Sequence, residues 1–208
     1  MNELPFRLQS RPAHEGTPIP FITFIDKDEK PLWKVTHPGR FFRGIMDQLC
    51  GACGQRIGKA HFPVFIVPPL GAIGHVSFTL PMHMDCAQWM VSNFPTLRGD
   101  GLWALYVTRG YKVRRATVDG RLLFLLSIPA TREGVTWHTQ GRAATRDEVL
   151  GEFDKCIPLE CDRIQKECPP FQHGEALRRF ELQYKAIVQW LPKETPEPDK
   201  GEEWKGAQ

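Results

Sequence analysis

Apolar residues recur along this chain at two spacings, and each predicts a different element. Phe41, Phe42, Ile45, Met46 and Leu49 fall every three or four positions, which predicts a helix opening at Pro38 and delivering the chain to Cys50. Ala87, Met90, Val91 and Phe94 predict a second helix after Pro81, stopped by Pro95. Leu177, Phe180, Tyr184, Ile187, Val188 and Leu191 define an amphipathic carboxy-terminal helix that ends at Pro192. Thr145 and Glu148 form a capping box ahead of a further helix with Val149, Leu150 and Phe153 inward. Shorter apolar runs read as strands: 19–25 and 32–35 about a polar turn, then 64–67 and 75–79 about Pro68–Gly74. Three more follow at 101–107, 112–118 and 121–128, with Asp119-Gly120 as a tight-hairpin signal between the last two.

Composition narrows the class. The 208 residues are 41% hydrophobic and 25% charged, close to the globular average, and a net charge of +3 is too small to nominate nucleic acid as partner. Residues 60–84 carry no charge with histidine neutral and are long enough to span a bilayer. Pro63, Pro68, Pro69 and Pro81, with Gly71 and Gly74, would break such a helix and leave backbone groups unpaired in lipid, so no membrane association is expected. The first residues show no secretory pattern, and six cysteines without one indicate reduced thiols or metal ligands in the cytoplasm.

Four of those residues carry a chemical signal. Cys50-Gly51-Ala52-Cys53-Gly54 is followed by His83-Met84-Asp85-Cys86, two pairs each with two residues between, the spacing at which both members reach one tetrahedral zinc. Gly51 and Gly54 let the first pair bend back, and the second sits at a helix start whose dipole favours thiolate. Knuckle, hairpin and helix start is the order of a treble-clef site. Four protein ligands, Cys50, Cys53, His83 and Cys86, close it as one structural Zn²⁺ rather than a catalytic ion. A zinc deaminase would require His-x-Glu before its Cys pair, and here the Cys pair comes first, with Asp85 in the second motif. A treble-clef nuclease would need a histidine base, for which His61 and His75 are the available residues. Cys156, Cys161, Cys168 and His173 match no common zinc spacing and read as ordinary thiols beside a histidine.

Two weaker constellations remain. Arg109, Lys112, Arg114, Arg115 and Arg121 concentrate charge around the hairpin, with Tyr111 placed to stack on a base, which makes nucleic acid the alternative partner. Arg142 and Thr145, at a helix start, form a candidate anion site that an enzyme would use.

The chain resembles a family of uncharacterised zinc-binding proteins encoded by bacteriophages, prophages and some bacterial genomes. The likeness spans most of residues 18–192 and is carried by Pro18-Ile19-Pro20-Phe21, Leu49 through Gly58, Pro81 through Ala87, Thr108 to Tyr111, and Trp137 with Gly141 through Leu150. It implies the same four ligands. Members of that family often carry Cys-Pro where this chain has Phe94-Pro95, so that cysteine is not a needed ligand. The resemblance supplies a setting and no mechanism. The expectation is an α+β fold of small antiparallel sheets with a treble-clef-like Cys3His zinc site and a carboxy-terminal amphipathic helix. Its parts are a loosely ordered arm (1–17), one zinc-stabilised domain (18–192) and a disordered polar tail (193–208). The expected function is non-enzymatic engagement of a host or phage protein, including inhibition of a host defence or regulatory complex.

Overall fold

In the computed structural model, which describes residues 3–99, 101–118, 121–129 and 133–193, the chain opens with α1 (Phe6–Gln9), β1 (Ala13–His14) and β2 (Thr17–Pro18). β3 (Thr23–Ile25), β4 (Pro31–Thr36), α2 (Pro38–Asp47), β5 (Val64–Val67), α3 (Pro69–Gly74), β6 (Val76–Ser77) and α4 (Met84–Asn93) follow. The second half holds β7 (Leu102–Val107), β8 (Lys112–Val118), β9 (Arg121–Ser127), β10 (Gly134–Thr139), β11 (Arg142–Ala143), α5 (Arg146–Glu167) and α6 (His173–Val188).

The central sheet runs β11-β10-β7-β5, antiparallel throughout. The neighbouring strands β5 at the edge, VFIV, and β7 inside, LWALYV, are apolar without alternation because both faces are covered. Phe65, Val67, Ala104, Tyr106 and Trp137 face α3, α5 and α6, joining Phe153, Ile164, Phe180 and Ile187 in one core. Val64, Ile66, Leu105 and Val107 point to the other side, where α4 lays Ala87, Met90 and Val91 against them. The four metal-type residues lie on that second side. A three-stranded sheet β6-β9-β8 and two hairpins, β1-β2 and β3-β4, complete the antiparallel set. The fold is thus α+β with small antiparallel sheets, and α6 is the amphipathic helix expected near the carboxy terminus. Among the described residues, no helix is long and apolar enough to cross a membrane.

Several elements depart from expectation, each for a local reason. β3 starts only at Thr23, because the Phe21 and Ile22 amides donate to Ala52 and Gly51 carbonyls in the cysteine turn instead of pairing with β4. No hairpin forms between that turn and α4: β5 pairs with β7 and β6 with β9, so the two strands belong to different sheets. Between them the expected turn is a helix, α3. Pro69 sits at a position where its missing N–H costs nothing, and Ala72 and Ile73 are buried in the core. α5 passes through Pro158, which costs one backbone bond in a helix anchored by Val149, Phe153 and Ile164. α6 ends at Val188, short of Pro192.

The amino-terminal segment, expected to be loose, is tied down. Leu8 of α1 is 1% exposed, and Arg7 Nη1 pairs with Asp85 Oδ2 of α4 at 3.0 Å. The Asp119-Gly120 turn and the tail from residue 194 lie outside the described residues, although β8 and β9 pair in register up to Val118 and Arg121.

Candidate metal centre

The first ligand pair is shaped by the end of α2. Gln48 takes a left-handed conformation at the helix terminus and turns the chain, and Leu49 and Arg56 then bridge as an antiparallel pair. Between them the Cys50 amide donates to the Gln55 carbonyl at 2.8 Å and the Gly54 amide to the Cys50 carbonyl at 2.9 Å. Gly54 stands at φ +77°, and a Cβ there would meet Phe21 Cδ2 at 2.8 Å, so both conformation and packing call for glycine. The loop is therefore a tight knuckle with both cysteine side chains on one side.

The second pair comes from α4. His83 is the residue capping its amino terminus and Cys86 lies in its first turn, where the helix dipole favours negative sulfur. The segment before the helix is fixed at two places: Gly51 donates to Pro81 at 2.9 Å, and Met82 exchanges backbone bonds with Val64 of β5. The knuckle, the helix start and the central sheet are thereby one hydrogen-bonded unit.

These elements bring Cys50, Cys53, His83 and Cys86 together, all buried, with their ligand atoms within 4.8 Å of one another. The Cys53 Sγ to His83 Nδ1 distance is 3.5 Å. Two ligands at about 2.3 and 2.1 Å from a tetrahedral ion would stand about 3.5 Å apart. The partner atoms agree: His83 Nε2 lies 3.3 Å from the Arg56 carbonyl, so the proton belongs on Nε2 and the Nδ1 lone pair faces the sulfurs. The Gln55 amide donates to Cys53 Sγ at 3.5 Å, an N–H···S bond that stabilises thiolate. A three-sulfur, one-nitrogen set of this shape suits a metal ion.

The protonation balance points the same way. Burial opposes ionisation of Cys50, but hydrogen bonds within the cluster outweigh it and hold its thiol well below the ordinary range. Hydrogen bonds to Cys50 and Cys53 raise His83 to about 10 and push Cys86 far up, because the remaining protons are shared against negative sulfur. A cation placed among these atoms takes over that role and displaces the protons.

The outer contacts, Arg56 O and Gln55 N–H, are absent from the sequence signal because they are backbone groups. The one trace is that Gly54-Gln55-Arg56 continues the knuckle directly.

The other candidate residues separate. Arg109 is exposed, with its Nε donating to Glu133 at 2.5 Å, and its guanidinium lies 5.9 Å from the Phe62 ring. Tyr111 is half-buried and edge-on to Phe65 at 5.5 Å, and burial pushes its phenol up, so it packs instead of offering a free stacking face. Lys112, Arg114 and Arg115 are exposed on β8, Arg115 facing opposite to the other two, and Arg121 opens β9. The expected anion site is filled from within. Arg142 grips both Glu148 oxygens at 3.0 and 2.5 Å, and the same carboxylate accepts from the Thr145 amide at 2.8 Å. This corrects the reading of Arg142 and Thr145 as a place for an external anion: the capping box has its own.

Of the two histidines, His61 stands edge-on to His83 at 6.0 Å, while His75 bonds Tyr106 Oη at 2.7 Å in the opposite core. They do not meet. Asp85 is held by Arg7. Cys156, Cys161 and Cys168 lie half-buried, and His173 donates to the Cys168 carbonyl at 2.7 Å. Among the described residues they form no metal-capable group.

No known protein family, curated protein or solved structure matches this chain.

Proposed function

We propose that this is a zinc-stabilised interaction protein, related to phage or other mobile elements, that engages a host or phage protein in the host cytoplasm. The observation that carries the reading is the enclosure of Cys50, Cys53, His83 and Cys86: all four are buried, so an ion they hold has its four positions filled by protein. Soft thiolates with one imidazole favour Zn²⁺ among common divalent ions. A knuckle followed by a helix that supplies the second pair is the core of a treble clef, with the usual hairpin here replaced by β5, α3 and β6. A site of this kind holds shape and leaves the work to the surface. Phe42 and Met46, one turn apart on α2, are 45% and 79% exposed, an apolar pair suited to contact with another protein.

Nucleic acid is the second reading, favoured by the exposure of Lys112, Arg114 and Arg115 on one strand.

The test has two parts. Elemental analysis of purified protein should give one zinc per chain, and chelation should lower the melting temperature. Affinity capture from host cells should then retain a protein that Phe42→Asp/Met46→Asp loses. Metal-free, fully stable protein would overturn the zinc reading. Salt-sensitive nucleic-acid retention that Lys112→Ala/Arg114→Ala/Arg115→Ala abolishes would replace the protein partner with the alternative.

A further inference from the structure

A cleft of about 490 Å³ opens beside the metal centre, between the chain leaving the knuckle and the turn from β7 to β8. Its walls are of two kinds. Ile45, Ile57, Pro63, Pro81 and Val113 make an apolar lining, and Lys59, His61 and Arg109 contribute basic side chains. No aspartate or glutamate lines it.

We propose that this cleft binds a phosphomonoester carried on a flat or apolar body. The volume falls within the usual range for small-molecule sites, which combine apolar walls with a few placed polar groups. Lys59, uncompensated among the described residues, brings one positive charge and Arg109, itself paired with Glu133, brings guanidinium donors, a set suited to the several oxygens and the charge of about −1.5 to −2 on a phosphomonoester at pH 7. Glu133 pairs with Arg109 through Nε, which offsets its charge and orients the guanidinium, while the two terminal nitrogens remain as donors for a planar, two-point contact. Tyr111, braced against Phe65 in an edge-to-face contact, adds an aromatic residue to the lining. The wall is rigid where it leaves the knuckle, since the Ile57 amide donates to the Gln48 carbonyl at 2.8 Å and His61 lies against His83. The proposal is independent of which protein the surface engages.

Calorimetric titration of the full chain with phenyl phosphate and adenosine monophosphate tests it, with benzoate and adenosine as the partners lacking phosphate. Phenyl phosphate should bind at least about tenfold more tightly than benzoate, and Lys59→Ala/Arg109→Ala should weaken it by about tenfold or more, as expected for loss of two charge-assisted contacts. Lys112→Ala/Arg114→Ala, on β8 outside the lining, should change it less than about twofold. In the native protein, methyl shifts at Ile57 and Val113 should respond to phenyl phosphate, a readout that needs no variant. Equal affinity for benzoate, equal loss in both variant pairs, or shifts confined to residues away from the cleft would overturn the proposal.

Discussion

Cys53 Sγ and His83 Nδ1 stand 3.5 Å apart across the junction of knuckle and helix, a separation expected for two ligands of one tetrahedral ion. Apart from the Gln55 amide on Cys53 Sγ, both atoms are turned into the buried cluster, so an ion held there would couple their energetics. A structural zinc contributes on the order of 10 kcal/mol, comparable to the entire net stability of a domain. On the proposed zinc reading, Cys53→Ser and Cys86→Ser should fail to hold metal and become insoluble or melt far below the native protein. His83→Cys, which keeps four ligands, should retain one metal per chain. Elemental analysis with thermal melting checks all three.

Gly54 should resist substitution. At φ +77° with Phe21 Cδ2 2.8 Å from a built Cβ, Gly54→Ala should cost about 2–4 kcal/mol, the sum of left-handed strain and overpacking. Gly151 offers the opposite case. It lies inside α5 with nothing within 4 Å of its Cβ direction, so Gly151→Ala should stabilise by about 0.5–1 kcal/mol. Chemical denaturation of the two variants should show opposite signs.

His75 makes stability sensitive to acid. Burial holds its imidazole below the ordinary value of 6.5 while it bonds the Tyr106 hydroxyl at 2.7 Å. The unfolded chain thus takes up this proton more readily than the folded one, so the contribution is whole above pH 6.5 and declines below it. The fall in melting temperature from about pH 7.5 to 5.5 should be shallower for His75→Gln than for the native protein.

The capping box at α5 works in the other window. Arg142, then the Thr145 amide, hold Glu148 down to about 2, so its contribution is present above the ordinary carboxylate range and disappears as pH falls through about 2. At pH 7, Thr145→Ala should cost about 1 kcal/mol, and Glu148→Gln should reduce stability while freeing Arg142. Phosphate binding at this helix start should be undetectable in the native protein, because Glu148 occupies it.

The readable part of this molecule was its local part. Cys50, Cys53, His83 and Cys86 follow from spacing, since two residues between ligands suffice for both to reach one ion wherever the pairs lie. The Thr145–Glu148 cap, the stripes of α2, α4 and α6, and the strands of β7, β8 and β9 are likewise set by neighbours three or four positions away, or by alternation and its absence. Strand partners were not readable. Val64–Val67 is apolar on both faces, so nothing in its pattern distinguishes β6 from β7 as neighbour, and the choice fell to the packing of α3 into the core. Leu8 gives no periodic signal, yet it is buried in the same cluster as Cys50, Cys53 and Cys86. Arg142 and Thr145 read first as a cap and only second as a binding site, and the position of the Glu148 carboxylate decides between them. Short-range chemistry is written in residue order, whereas the filling of a face or a charge depends on segments distant in the chain, and only the folded arrangement names them.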